Sequence, residues 1–127
     1  MQRLNISSGG AFEAVYGYSR AVRVGEHIHV SGTTARDPYL DGCDAYQQSK
    51  AILEIIELAL ADAGSSLEAV VRTVAYVTDM ADAALVARAH REAFGDVLPA
   101  ATLVGVSALI DPRMRVEIEA YAIEPAA

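Results

Sequence analysis

Apolar side chains recur along this chain with two different periods, and the change from one to the other predicts where strands and helices lie. Arg20 to Val24 and His27 to Ser31 are short stretches that contain β-branched residues, and Gly25-Glu26 joins them. Two such stretches around a short glycine-containing connection are typical of a β-hairpin. We therefore expect the hairpin to form the first two strands.

Two later segments carry the spacing of one helix face. Between Asp44 and Ala63, apolar residues repeat at steps of three and four. Asp44 is suited to cap the first turn, and Gly64 is suited to the left-handed conformation that ends a helix. A second helix is predicted after Asp79 and Asp82, because the following apolar residues keep helical spacing: Leu85, Val86, Ala89, Ala93 and Phe94.

Three further strands are predicted, over Val70 to Thr78, Ala100 to Ile110 and Arg115 to Ile123. In the last of them apolar residues alternate with polar ones, which indicates a half-buried strand. The stretch from Ala100 to Ile110 does not alternate, so we expect it to be covered on both faces. The predicted order is ββαβαββ, an α+β fold with two helices packed on one face of the sheet.

Two helices can cover only one face of this sheet. Large exposed apolar patches are rare on monomers, so the second face needs another cover. The same sheet in a neighbouring subunit is the simplest one. The pattern alone therefore predicts a homo-oligomer, without fixing its symmetry.

Length and charge limit the functional classes. The 127 residues fit one domain, 1–127, and the net charge of −7 with no run of Lys or Arg disfavours nucleic acid as a partner. No apolar stretch is long enough to cross a membrane, and the first residues show no signal-peptide pattern, so we expect a cytoplasmic protein. The single cysteine, Cys43, fits a reducing compartment.

Two pairs of side chains at alternate strand positions are candidates for chemistry. His27 and His29 share a strand face and could bind zinc or iron with a third ligand, but no motif supplies one, so no metal is expected. Glu117 and Glu119 also share a face. One interpretation is that both are solvated carboxylates with Arg115 as their partner. The other is that a cleft covers Glu117, which raises the pKa of its carboxyl and lets it serve as a general acid or base.

Several short motifs, in order and at matching spacing, resemble those of one known family. They are Tyr18-Ser19-Arg20-Ala21-Val22, Val30-Ser31-Gly32, Ala61-Asp62-Ala63-Gly64, Tyr76-Val77-Thr78-Asp79, Pro99-Ala100 and Val116-Glu117-Ile118-Glu119-Ala120. Together they resemble the YjgF/RidA family over about Tyr18 to Ala122.

The resemblance implies a fold, an assembly and an activity. It implies a chorismate-mutase-like subunit with a mixed β-sheet, and a homotrimeric barrel with three small-molecule clefts between its subunits. Archetypal members are 2-iminobutanoate/2-iminopropanoate deaminases, which hydrolyse reactive imines to a 2-oxo acid and ammonia. They use no cofactor and no metal.

The resemblance also assigns roles to residues. Tyr18 matches an aromatic cleft residue, Ser31 and Gly32 match the segment beneath the ligand, and Glu117 matches the acid that positions the attacking water. We therefore treat Glu117 and Tyr18 as the candidate catalytic residues.

Two positions depart from the family pattern. Where archetypal members have an arginine that binds the substrate carboxylate at two points, this chain has Ala101, and a methyl group cannot neutralise a carboxylate. Arg88 stands where the archetype has a cleft asparagine. It is either a replacement anion clamp or a plain surface residue. The chain resembles a branch of the family that lacks the arginine.

Three functions remain open on the sequence. The first is a hydrolytic deaminase, or a related enzyme, acting on an imine or enamine, with archetypal activity weak or absent because of Ala101. The second is a trimer that binds a small metabolite without catalysis. The third, an endoribonuclease, fits poorly with the acidic charge.

Overall fold

A computed structural model describes residues 2–126, and its centre is a six-stranded sheet with the strand order β1-β2-β3-β6-β4-β5. The strands are β1 (Arg3–Ile6), β2 (Ala21–Val24), β3 (His27–Thr34), β4 (Val70–Val77), β5 (Ala100–Gly105) and β6 (Val116–Ile123). The helices are α1 (Ala11–Tyr16), α2 (Ala45–Asp62) and α3 (Ala83–Phe94). The sheet is mixed, because β4 and β5 run parallel and the other neighbours run antiparallel.

The core lies between one face of the sheet and the helices α2 and α3. Burial alternates along β6, where Val116, Ile118, Ala120 and Ala122 point into the core, so the predicted half-buried strand is confirmed. The predicted hairpin is confirmed as β2 and β3, with Val24 paired to His27. These pairings place the apolar faces of the central strands against α2.

The main helix is confirmed close to its predicted bounds. Asp44 accepts a hydrogen bond from the amide of Gln47, and the Gln47 side chain accepts one from the amide of Asp44, which together form a capping box. After the last turn Gly64 has a φ of 83°, a backbone conformation that favours glycine. Both ends of α2 thus follow from local chemistry.

The N-terminal segment was not anticipated, since the predicted order began at β2. β1 pairs with β2 at the sheet edge and buries only Ile6, and α1 is one short helix that buries only Glu13. The two elements have four and six residues, so the strand spacing of Leu4 and Ile6 and the helical spacing of Phe12, Val15 and Tyr16 occur only once. A search for repeating apolar faces therefore passes over both elements.

The fifth strand is shorter than predicted. β5 ends at Gly105, so the predicted extension of this strand to Ile110 is wrong. Among the described strands β5 pairs with β4 alone and is largely exposed within one chain, so its cover on both faces, one of them by a neighbouring subunit, stays a prediction. Ile110 lies outside the strand and is exposed. An edge strand with small side chains resembles a doubly covered one in sequence, because both lack alternation.

The sheet face opposite the helices is here called the open face. Strand pairing places on it the residues that lie out of phase with the core: His27, His29, Arg72, Val74, Tyr76, Thr102, Val104, Glu117, Glu119 and Tyr121. None of the helices described between residues 2 and 126 is long and apolar enough to cross a membrane.

Candidate functional site

An irregularity in β3 forms the floor of the candidate site. The pairing of β3 with β6 shifts register between Val30 and Thr33, which takes Ser31 and Gly32 out of the regular ladder. A Cβ built on Gly32 would lie 2.6 Å from Oε2 of Glu117, so only glycine allows this close approach. The Glu117 carboxylate therefore lies directly against the backbone of Gly32.

The surroundings of Glu117 favour its neutral form. Burial raises the pKa of this carboxyl, and the negative charge of Glu119 raises it further, whereas the positive charge of Arg20 lowers it. On the same face, the hydroxyl of Tyr76 donates a hydrogen bond to Glu119. That bond, then burial, raises the pKa of Tyr76. A raised pKa makes Glu117 better suited than an ordinary carboxyl to exchange a proton with a ligand.

Tyr18 and Ser31 are held by the chain segment that precedes β2. The Ser31 hydroxyl donates to the carbonyl of Ser19 at 2.6 Å. Arg20 donates to the Tyr18 hydroxyl at 3.0 Å, and its guanidinium carbon lies 5.3 Å from the centre of the Tyr18 ring. Arg20 also donates to the carbonyl of Gly32 at 2.8 Å, so one guanidinium joins the two halves of the site.

A buried carboxylate holds this guanidinium. Oε2 of Glu13 lies 3.5 Å from Nε of Arg20, and both side chains are almost fully buried. Burial by itself raises the pKa of Glu13, but hydrogen bonds from the hydroxyl and amide of Ser8, the hydroxyl of Ser7 and the amide of Gly10 lower it to about 2. Glu13 is therefore ionised at any physiological pH.

An open cleft of about 490 Å³ lies beside these residues. Its wall is mostly polar and is formed by the N-terminal segment and β2 and β3: Arg3, Asn5, Glu13, Ala14, Gly17, Tyr18, Ser19, Val22 and Ser31. Two of the predicted site residues, Tyr18 and Ser31, line it directly. Glu117 and Gly32 do not line it; Arg20 links Gly32 to Tyr18, and Glu117 lies against Gly32.

Arg88 lies on the helical side of the sheet, whereas Glu117 is on the open face. The Arg88 guanidinium is 4.2 Å from the centre of the Tyr46 ring, and its Nε lies 3.6 Å from Oε2 of Glu92. Within one chain, Arg88 is therefore not brought together with Tyr18 and Glu117.

Ala101 is exposed at the edge of the sheet. In the parallel pairing of β4 and β5 it is opposite Thr73, whose buried hydroxyl bonds to His90 of α3. Partners in neighbouring strands point to the same face, so Ala101 is on the helical side. Burial lowers the pKa of His90. Ala101 and Glu117 thus lie on opposite faces of one sheet.

His27, His29 and Arg115 contact residues other than those considered in the sequence. The Tyr121 ring stacks on His29, with ring centres 4.8 Å apart, and its hydroxyl bonds to His27. Across residues 2–126, no cluster of three or more ligand-type side chains is placed to hold a metal ion. Arg115 pairs with Asp82 at 2.9 Å and not with the strand carboxylates, so the predicted pairing of Arg115 with Glu117 and Glu119 is wrong.

Two residues of the site were missed in the sequence. Arg20 was noted only as part of a motif, and Glu13 was not considered. A charged residue is seldom buried unless it is paired, and the pair depends on α1, a six-residue helix that is too short for a repeating pattern. The available signal was Glu13 three residues after Gly10, a capping-type spacing.

Comparison with known proteins gives one consistent family. The family model described as endoribonuclease L-PSP matches residues 9–124. An uncharacterized protein of Streptomyces coelicolor is 38% identical over 120 residues, which cover 91% of this chain and 90% of that protein. A 2-iminobutanoate/2-iminopropanoate deaminase of Mus musculus is 35% identical over 123 residues, covering 94% of this chain and 90% of the mouse protein.

The fold has a near match among solved structures. The crystal structure of a member of the YjgF/YER057c/UK114 family from Mycobacterium tuberculosis superposes with a TM-score of 0.89 at 45% sequence identity. The match covers 96% of this chain and 99% of that one.

Proposed function

This chain belongs to the YjgF/RidA family, and from that premise we propose that it forms a homotrimer whose intersubunit clefts hydrolyse an imine-like or enamine-like metabolite. The observation that carries the proposal is the half-buried carboxyl of Glu117, which lies against Gly32, while Arg20 links the Gly32 carbonyl to the cleft residue Tyr18. A carboxyl in these surroundings is suited to move protons during hydrolysis.

The opposite placement of two site residues supports a cleft between subunits. Glu117 is on the open face and Ala101 on the helical side, so no single chain can present both to one ligand. A neighbouring subunit would contribute Ala101 and Arg88 from its helical side. The first subunit would contribute Tyr18, Ser31 and Glu117.

The proposed reaction needs only water and proton transfer. Water adds its oxygen to the imine carbon, and Glu117 accepts one proton from that water and passes it to the imine nitrogen, which gives a carbinolamine. Glu117 then accepts the proton of the new hydroxyl group and transfers it to the amine nitrogen as the carbon–nitrogen bond breaks. Ammonia and a carbonyl compound leave, and the carboxylate of Glu117 is regenerated after one turnover. Tyr18 orients the substrate.

Neither Arg20 nor Arg88 replaces the arginine that binds the substrate carboxylate in archetypal members. Arg20 is buried and already donates to Gly32, Thr33 and Tyr18, and Arg88 is paired with Glu92. We therefore expect archetypal 2-iminobutanoate deamination to be weak or absent in the natural chain.

Restoring the anchor tests this proposal. Ala101 is exposed, so Ala101→Arg fits without repacking and provides a two-point site for a carboxylate. With threonine dehydratase as the imine source, we expect the natural protein to accelerate imine loss little over buffer. Ala101→Arg should raise the rate at least about tenfold, because an arginine–carboxylate pair adds a charge-assisted contact, and Ala101→Lys should raise it less.

A second substitution distinguishes proton transfer by Glu117 from substrate binding at position 101. Adding Glu117→Gln to Ala101→Arg should remove most of the gain, since the amide cannot exchange the proton. If Ala101→Arg gives no acceleration, or if the gain survives Glu117→Gln, the proposed chemistry is wrong. Rapid imine loss with the natural protein would contradict the role assigned to position 101.

The alternative is a trimer that binds a small metabolite without catalysis. It is favoured by the internal use of the Arg20 hydrogen bonds and by the alanine at position 101. Thermal stabilisation by amines or carboxylates, with no imine turnover in any variant, would support this function. Stability unaffected by every ligand tested would count against it.

A further inference from the structure

The buried guanidinium of Arg20 is placed where it fixes the hydrogen-bonding direction of the cleft tyrosine. Its Nη2 donates to the Tyr18 hydroxyl oxygen at 3.0 Å, while Nη1 donates to the Gly32 carbonyl at 2.8 Å and to the Thr33 hydroxyl at 2.9 Å. Arginine has donors only, so Tyr18 must accept in this contact.

Accepting this bond determines what Tyr18 offers to a ligand. A tyrosine hydroxyl has one proton to donate, and that proton cannot point at the guanidinium. Within the part of the chain that the structure describes, no acceptor for it is found, and the ring lines the open cleft. The free donor therefore points away from Arg20.

The carboxylate of Glu13 keeps the guanidinium in place. It is ionised, buried, and held by the segment from Ser7 to Gly10 and by the first turn of α1. A buried ion pair of this kind is weak support for stability, because desolvation offsets much of the attraction. Glu13, whose Oε2 lies 3.5 Å from Nε of Arg20, balances the buried charge, while the three hydrogen bonds from Nη1 and Nη2 set the orientation of the guanidinium.

We propose that Arg20, held by Glu13, is a positioning residue that makes Tyr18 a hydrogen-bond donor to the cleft, so that the cleft selects ligands with a lone pair at that point. Imine nitrogens and carbonyl oxygens have such lone pairs, and ammonium groups do not. The inference rests on the proposed function for its ligand, but not for the orientation of Tyr18.

Arg20→Lys and Arg36→Met form a matched pair for the test. Lysine keeps the charge but cannot reach Tyr18 and Gly32 together, because it lacks the planar fork. Arg36 also lies near Glu13, with Nη2 3.8 Å from Oε2, and its hydrogen bonds go to Ser8 and not to Tyr18. Its removal therefore controls for a general weakening of the Glu13 cluster.

The first readout is the 13C resonance of the Tyr18 ring carbon that bears the hydroxyl, assigned with Tyr18→Phe. We expect this resonance to move in Arg20→Lys and to stay in place in Arg36→Met. Equal effects in the two variants would overturn the positioning role. If Arg20→Lys does not fold, the neutral pair Glu13→Gln/Arg20→Met replaces it and leaves no unpaired buried charge.

The second readout is binding of 2-oxobutanoate, which has the carbonyl of the proposed product. Arg20→Lys and Tyr18→Phe should each weaken binding about fivefold, as expected for one hydrogen bond, and the double variant should be no weaker. Additive losses would show that the two residues act separately and would overturn the inference. No binding, together with the expected resonance shift, would count against the proposed function and leave the positioning role standing.

Discussion

At the scale of single residues, Glu117 shows how neighbours set the charge of a carboxyl. Its carboxylate lies against Gly32, Glu119 lies on the same face, and Arg20 is the compensating charge. The result is a carboxyl whose pKa is raised from the ordinary 4.5 by burial first and by Glu119 second.

This raised pKa predicts a pH-dependent gain in stability for Glu117→Gln. The folded protein favours the protonated carboxyl, so its contribution to the free energy of unfolding is fully present below the unfolded pKa and is lost as pH rises through the folded one. Glutamine stays neutral throughout. The variant should therefore have a higher Tm than the natural protein at pH 8, with the difference shrinking below pH 4.5.

Thermal unfolding between pH 3.5 and pH 8, roughly the span over which a carboxyl changes charge, measures this difference. Glu57→Gln, on the exposed side of α2, is the control and should change Tm little at either pH. A Glu117→Gln variant that loses stability at pH 8 would show that the ionised carboxylate is favourable in the folded protein.

At the scale of elements, α2 is the part most completely encoded in local sequence. Its apolar face, its cap at Asp44 and the left-handed Gly64 all lie within the segment itself. β5 is the opposite case, because its length depends on pairing with β4. Local composition therefore predicted α2 closely and β5 only in part.

The N-terminal cap of α2 predicts a loss of stability whose usual magnitude is known for such caps. Asp44→Ala removes the acceptor that the Gln47 amide uses at 2.8 Å and should lower the free energy of unfolding by about 1 kcal/mol. Denaturant unfolding measures the loss. Glu57→Ala, in the exposed middle of the same helix, should change it by less than about 0.5 kcal/mol. Equal losses in the two variants would contradict a specific capping role.

At the scale of the whole molecule, no helix described between residues 2 and 126 packs on the open face. It combines apolar side chains such as Val74 and Val104 with polar ones such as Glu119 and Tyr121. A monomer would leave all of them facing water. In the proposed trimer this face would line the interior of the barrel. A face with both apolar and polar side chains is suited to this, because the polar groups can form hydrogen bonds between subunits.

A charge on the open face should weaken the assembly. Val104 is 38% exposed in the single chain, and Val104→Lys would put a cation among the proposed contacts. Leu58→Lys, at 66% exposure on α2, is the matched control on the helical side. By light scattering, we expect a molecular mass of about three times the 13.5 kDa of one chain for the natural protein and for Leu58→Lys. For Val104→Lys we expect a lower mass. The reverse order would place the interface on the helices.

The sequence by itself determined the elements whose signals are local and periodic. The hairpin, α2, the alternation of β6 and the family motifs could be identified because each depends on residues close together in the chain. The family resemblance also identified Glu117 and Gly32 as two candidate site residues.

Only the tertiary structure decided how these residues meet. That Glu117 touches Gly32 follows from the pairing of β6 with β3 and its irregularity, and that Ala101 points to the other face follows from the register of β4 with β5. A shift of one residue would reverse either orientation. The alternation of β6 indicates the face of Glu117 but not its partner across the sheet, and β5 has no alternation to indicate the face of Ala101. The buried contact of Arg20 with Glu13 depends on a helix too short for its apolar spacing to repeat.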